Sequence, residues 1–268
     1  MKLQTALWVI VAFVLLSSLV MWFSVNSSNK RAVVTLITSN DDYVVGALAL
    51  AASLKRVSLD TLPDLVCLVS PAVEQSVRDR LRSAGFRVRV VESIANPSNA
   101  NPRFADTYSK LNAWRLTEYA TVLWLDADSI VLKPIDALFR VNAPFAAVAD
   151  CCDFFNSGVM VLHPSQAVFE DMMSKRDKLA SYDGGDQGFL NSYFGKNWKR
   201  LDYIFNAQLP DYVDLPSAWH LPDICVMHFE KYKPWRPIAS YAGKEDVLRK
   251  VFDIWHDAGG GDASELLR

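Results

Sequence analysis

Asp126 and Asp128 interrupt the run Val122-Leu123-Trp124-Leu125-Asp126-Ala127-Asp128-Ser129-Ile130-Val131-Leu132, which is otherwise apolar enough for a buried strand. A carboxylate buried there is costly unless a cation compensates it. Residues two apart on an extended chain share a face. Both carboxylates can therefore converge on one divalent ion where the strand gives way to a loop, and hard oxygen ligands suit Mg²⁺ or Mn²⁺. The plainer reading of an Asp-x-Asp is a turn or a solvated face, but the apolar setting argues against it. Three more polar clusters stand beside apolar runs: Asn156, Asp186-Gln187, and His228 with Lys233. One imidazole added to two carboxylates leaves open positions on an octahedral ion, which suits a bridging diphosphate. Lys233 can neutralise charge on the departing phosphate; taken alone it would be an ordinary surface lysine, as His228 would be an ordinary core histidine. Metal and lysine together imply chemistry on a nucleotide-activated substrate.

The elements that must place these residues alternate. Ala32 to Thr38 reads as a strand, and the helix after it carries Val45, Leu48, Ala52 and Leu54, with Asp41 or Asp42 as its cap. Leu65 to Val69 is a second strand. Ser70-Pro71 then reads as a cap with Pro at the first helical position, and Gly85 ends that helix. Arg87 to Val91 alternates as a third strand. Leu111 to Tyr119 is helical in pattern, and the central strand follows it. Phe145 to Ala149 and Val159 to Leu162 read as strands and Gln166 to Lys178 as a helix. Tyr182 to Gly188 is a tight loop before a helix over Phe189 to Phe194. Tyr203 to Trp219 is irregular. Ile224 to Met227 is a last strand that delivers His228, and Val247, Val251, Ile254 and Trp255 share one helical face, with Gly259 to Gly261 as its end. Strands alternating with helices predict an α/β fold whose central sheet is mostly parallel. Ligands bind such sheets beyond the carboxyl ends of the strands, where Asp126 and Asp128 lie.

The chain has 268 residues, about half of them hydrophobic, and a net charge of −2. That is enough for one sizeable domain, and the charge makes no case for a nucleic-acid partner. Ala6 to Val25 contains no charged residue and is long enough to cross a bilayer as a helix. We read it as an uncleaved single-pass anchor rather than a signal peptide, whose apolar core is shorter. The four cysteines show no metal-site spacing and read as buried free thiols.

The chain also resembles a known family, the glycogenin-type family 8 glycosyltransferases. The marks are VTLITSNDDYVVGALALAASLK, YSKLNAWRLTEY, LDADSIVL, FNSGVMVLHPS, DGGDQGFLN and HFEKYKPW, in that order from about Val33 to Trp235. The resemblance implies a GT-A fold, Rossmann-like in its nucleotide-diphospho-sugar binding, and a retaining transfer from a UDP-sugar with Mn²⁺. It makes Asp126, Asp128 and His228 the metal ligands and puts Thr38, Asn40 and Tyr43 on the uridine. Lys110 contacts the donor, Asn156, Asp186 and Gln187 surround the sugar, and Lys233 grips the diphosphate. One departure is Glu230-Lys231-Tyr232, where the family often has a small residue after the metal histidine. The division that follows is a tail over 1–5, an anchor over 6–25, a linker over 26–31, a catalytic domain over 32–240, and a C-terminal helix and tail over 241–268. The expected donor is a UDP-hexose of the glucose type, and the acceptor a glycan, lipid or protein. The expected place is a Golgi or ER membrane with the catalytic domain lumenal, the cytosolic face being the alternative, and a homodimer is an open option. Two rival functions compete: an Asp-nucleophile phosphatase, whose motif usually lies on the first strand, and a nucleotide-sugar-binding module without turnover.

Overall fold

The structure, a computed structural model, describes residues 30–39, 42–97, 104–150 and 153–259. The apolar run at 6–25 and the linker as far as 29 lie outside these residues, as do Asn40, Cys151 and Cys152. Among the described residues no helix is long and apolar enough to cross a membrane.

Ten strands form two sheets. In chain order they are β1 Arg31–Ile37, β2 Asp64–Val69, β3 Arg87–Val90, β4 Thr121–Leu125, β5 Ser129–Val131, β6 Phe145–Ala149, β7 Phe155–Leu162, β8 Lys199–Leu201, β9 Ala207–Gln208 and β10 Val226–His228. The large sheet runs β3-β2-β1-β4-β7-β6-β8. Its β1 is parallel to both β2 and β4, while β7 is antiparallel to β4 and β6. With β3 parallel to β2 and β8 to β6, the sheet is mostly parallel. The small sheet runs β5-β10-β9.

The helices are α1 Tyr43–Arg56, α2 Gln75–Ser83, α3 Gln166–Lys175, α4 Asp186–Phe194, α5 Leu209–Asp214 and α6 Glu245–Gly259. Alternation along β1 and β4 sends Ala32, Val34, Val122 and Trp124 to one face, under Met172 of α3 and Phe189 of α4. Val33, Leu123 and Leu125 face the other way, onto Leu50 and Leu54 of α1. Both faces are covered, which is why these strands read as continuous apolar runs. Among the described cysteines, Cys67 and Cys225 are buried free thiols.

The expected central strand is two strands. It breaks at Asp126-Ala127-Asp128, where β4 ends in the large sheet and β5 begins in the small one. Backbone bonds fix the turn: Asp126 N–H donates to Gly158 O at 2.8 Å and Ser129 N–H to Asp126 O at 3.0 Å. Other boundaries also differ. Ser70 caps no helix, because α2 starts only at Gln75; its hydroxyl instead donates to Thr38 O at 2.6 Å and receives Ala72 N–H at 3.2 Å. Leu111 to Tyr119 is not an α-helix: a 3₁₀ helix over Thr107–Arg115 takes its place. The helix expected to reach Lys178 stops at Lys175. Asp42 is the N-cap of α1 without a side-chain cap bond, since its carboxylate accepts Arg236 Nε at 2.7 Å. Helix α6 runs through Gly259, whose missing Cβ leaves room for Ala49 of α1.

Gly46 lets α1 lie directly on the acidic turn. A Cβ there would stand 2.3 Å from Ala127 O and 2.7 Å from the Trp235 ring. Gly46→Ala should therefore push α1 off the turn and cost about 2 kcal/mol, lowering Tm by on the order of 5 °C. Thermal denaturation checks this, and an unchanged Tm would contradict the packing described.

Candidate active site

Asp126 follows the last residue of β4, Asp128 precedes the first of β5, and His228 ends β10. Pairing of His228 with Ser129 across the small sheet brings the imidazole beside the acidic turn. One ligand atom from each of the three residues lies within 4.8 Å of the others. Gly158 makes the space: a Cβ on it would fall 2.1 Å from His228 Cε1.

A chain of hydrogen bonds that starts at the backbone sets the tautomer of His228. Gly158 N–H donates to Asn156 Oδ1 at 2.8 Å, which fixes that amide. Asn206 Nδ2 then donates to the same oxygen at 2.8 Å. Asn206 therefore turns Oδ1 toward His228 Nδ1, at 3.1 Å, and Nδ1 must be the donor. His228 Nε2 faces Asp128 Oδ1 at 3.1 Å and Asp126 Oδ2 at 3.9 Å. Two carboxylates and a ring nitrogen looking into one space require positive charge there, from a proton or a metal ion. Two carboxylate oxygens and an imidazole suit a hard to borderline divalent cation, so the residues fit such an ion.

Each carboxylate also has a lysine. Lys110, from the 3₁₀ helix, reaches Asp126 Oδ1 at 3.0 Å, Asp186 Oδ2 at 2.8 Å and Ser157 O at 3.1 Å. Burial disfavours its charge, but Asp126 and Asp186 outweigh burial and push its pKa up. Lys233 is ion-paired with Asp128 Oδ2, donates to Phe229 O and Glu230 O at 2.6 Å, and lies 5.1 Å over the Tyr43 ring. Burial alone would raise the Asp128 carboxyl, yet Lys233 and His228 hold it well below the usual carboxylate range.

Asp186 belongs to the first turn of α4 rather than to a loop. Its Oδ2 accepts both Lys110 and the Ser157 hydroxyl, the latter at 2.8 Å. Gln187 accepts Ser157 N–H at 3.1 Å and donates to Asp150 and to the Tyr182 hydroxyl, each at 2.8 Å. Asp183 acts on the backbone instead. Its Oδ1 accepts Ser181 Oγ at 2.8 Å and Gly185 and Gly188 N–H at 2.9 Å, tying down the start of α4.

These residues surround a cleft of about 660 Å³ at the carboxyl end of the sheet. Thr38, Tyr43, Lys110, Asp126, Asp128, Asn156, Asp186, Gln187 and His228 all line it. Lys233 is placed otherwise, enclosed with Asp128 and two carbonyls, while Asn40 falls outside the described residues. The structure adds Asn206, Ser157 and Glu230, which the sequence did not single out as site residues. Glu230 occupies the segment after His228 where the family often has a small residue. Its carboxylate accepts Asn156 Nδ2 at 2.5 Å, and burial raises its pKa. Asn206 comes from a segment with no periodic pattern, so only its amide type marked it. Tyr212, in α5, is buried against Trp219, with ring centroids 5.1 Å apart.

The model of glycosyl transferase family 8 matches residues 34–239. Inositol phosphorylceramide glucuronosyltransferase 1 of Arabidopsis thaliana is 34% identical, over 95% of this chain and 50% of its own length. The putative UDP-glucuronate:xylan alpha-glucuronosyltransferase 5 of that plant is 37% identical, over 84% of this chain and 40% of its own. Glycogenin-1 of Mus musculus is 36% identical, over 76% and 65%. The chain thus spans half or less of the two plant relatives. Among solved structures, the galactosyltransferase LgtC with donor and acceptor sugar analogues aligns at a TM-score of 0.60 and 19% identity, over 81% of this chain and 94% of that one. The bifunctional glycosyltransferase WbbM aligns at 0.65 and 17%, over 89% and 51%. At such identities the likeness is one of fold, an α/β GT-A fold.

Because Asn206 sets the tautomer of His228, Asn206→Leu should weaken binding of a divalent cation, with Mn²⁺ as the probe, by roughly 10- to 100-fold. Asn206→Asp should also fall short of the native chain, because its second oxygen would face Asn156 Oδ1 where Nδ2 now donates. Titration of free Mn²⁺ by electron paramagnetic resonance measures both. Native affinity in the leucine variant would contradict the assignment.

Proposed function

This chain belongs to glycosyl transferase family 8, and from that premise we propose that it moves a glucose-configured sugar from a UDP-sugar to an external glycan, lipid or protein acceptor, with retention at the anomeric carbon. The observation that carries the proposal is the convergence of Asp126, Asp128 and His228 on one space at the open end of the sheet. We assign these three to a divalent ion, Mn²⁺ or Mg²⁺. When bound, the ion supplies Lewis-acid stabilisation of the diphosphate leaving group. The names of the plant relatives support a glucose-configured donor, because they specify glucuronate.

The chain's own residues divide the remaining work. Thr38 and Tyr43, with Asn40, hold the uridine where β1 ends and α1 begins. Lys110 keeps Asp126 and Asp186 at a fixed separation, since one ammonium bonds both. Asp186 presents an oxygen to the anomeric carbon as positive charge develops, and Asn156 and Gln187 orient the sugar hydroxyls. Lys233 shares Asp128 with the ion site and would add a second positive charge to it when a diphosphate binds. The uncharged run at 6–25 supports a single-pass anchor, and we place the cleft on the lumenal side of a Golgi or ER membrane. A phosphatase is inconsistent with the family, and turnover of donor separates an enzyme from a binding module.

If Asp186 acts chiefly in the transition state, Asp186→Asn should lower kcat on the order of a hundredfold with the donor Kd nearly unchanged. Asp128→Asn should abolish cation-dependent turnover and also lower Tm, because it leaves the enclosed Lys233 without its carboxylate. Asp183→Asn should lower Tm, because that carboxylate ties the start of α4. Calorimetric UDP-sugar binding paired with UDP release decides this. Native turnover in Asp186→Asn beside a dead but stable Asp183→Asn would reverse the assignment.

A further inference from the structure

Two large aromatic side chains stand exposed beside the cleft. Phe154 is 44% and Tyr182 52% exposed, and their ring centroids lie 4.9 Å apart at 42°. They come from different elements. Phe154 lies in the connection between β6 and β7, where Asp150 N–H donates to Phe154 O at 3.0 Å. Tyr182 lies in the loop before α4. Gln187 joins the two, donating to the Tyr182 hydroxyl and to the Asp150 carboxylate. Asp150, Asp183 and Gln187 line the cleft next to the pair. The rings therefore continue the wall of the site outward.

Exposed aromatic surface at the rim of a polar cleft marks a binding surface more than a packing defect. Its chemistry here is specific. A pyranose presents an apolar C–H face, which suits the electron-rich face of an aromatic ring, and a rim of hydroxyls, which suits carboxylates and amides. Phe154 and Tyr182 provide the first, and the exposed carboxylate of Asp150 the second. An anionic headgroup fits poorly, since Asp150 and Asp183 would repel it at short range.

We propose that Phe154 and Tyr182 form the acceptor platform of this enzyme, holding the apolar face of a neutral saccharide at the mouth of the cleft. This inference rests on the transferase reading above. The ring of Tyr182 is the working part, and its packing against Phe154 holds it in place without need of the hydroxyl.

Saturation-transfer NMR with xylotetraose and maltotetraose, in the presence of UDP and Mn²⁺, tests it. The native chain should bind at least one tetraose through its ring C–H protons. Phe154→Ala and Tyr182→Ala should each weaken that binding about tenfold or more, and Tyr182→Phe should retain it. All three should keep native affinity for UDP with Mn²⁺, measured by calorimetry. Binding of neither tetraose to the native chain, or equal binding by the alanine variants, would overturn the platform while leaving the donor site standing. So would capture of the native chain by phosphatidylserine vesicles in a manner that depends on the two rings. If the native chain failed to bind UDP with Mn²⁺ at all, the donor reading would fall and the platform with it.

Discussion

Carboxylates gathered at the end of a buried sheet must have positive charge beside them, and this site is built around that need. Asp126 and Asp186 share Lys110, while Asp128 holds Lys233 and faces His228. Removing one lysine would leave an uncompensated buried charge, which costs more than the pair itself contributes. The pairs come from distant parts of the chain: Lys110 from a 3₁₀ helix, Asp186 from the start of α4, Lys233 from beyond β10. Electrostatics therefore ties the two sheets and α4 into one unit. An open cleft then adds room for a ligand whose own charges complete the balance.

Geometry at backbone level makes the cluster possible. The chain leaves the large sheet after Leu125 and enters the small one at Ser129, so Asp126 and Asp128 sit on the seam. His228 arrives from the small sheet and Ser157 and Gly158 from the large one. Gly46 and Gly158 are the two positions where a single Cβ would displace the turn or the imidazole. The chemistry is thus placed by rigid elements, and residues of that kind hold a constellation more tightly than long loops do.

Much of this could be read from the residues alone, for physical reasons. Strands covered on both faces appear as apolar runs, and β1, β2, β4 and the second half of β7 were legible for that reason, whereas Asn156, Ser157 and Gly158 hid the first half of β7. Charges inside such a run are conspicuous, which exposed Asp126 and Asp128. The break between β4 and β5 was hidden because both flanks are equally apolar, and composition does not record a change of sheet. Asp186 looked like a loop residue because Gly184 and Gly185 precede it, yet Gly185 is only the N-cap of α4. Asn206 and Ser157 act through hydrogen bonds to residues far away in the sequence, and no periodicity marks such contacts. Lys233 was legible as a cation near the site, but its enclosure by Asp128, Phe229 O and Glu230 O depends on the packed structure.

The central claim is that Asp126, Asp128 and His228 hold a divalent ion that meets the donor diphosphate. The most direct measurement is a crystal structure with Mn²⁺ and UDP, using anomalous scattering at the manganese edge. One strong peak within coordination distance of Asp126, Asp128 and His228 Nε2, and of oxygens on the diphosphate, is the predicted result. Manganese bound to UDP away from these side chains, or UDP seated in the cleft with no anomalous peak between the two aspartates, would contradict the account.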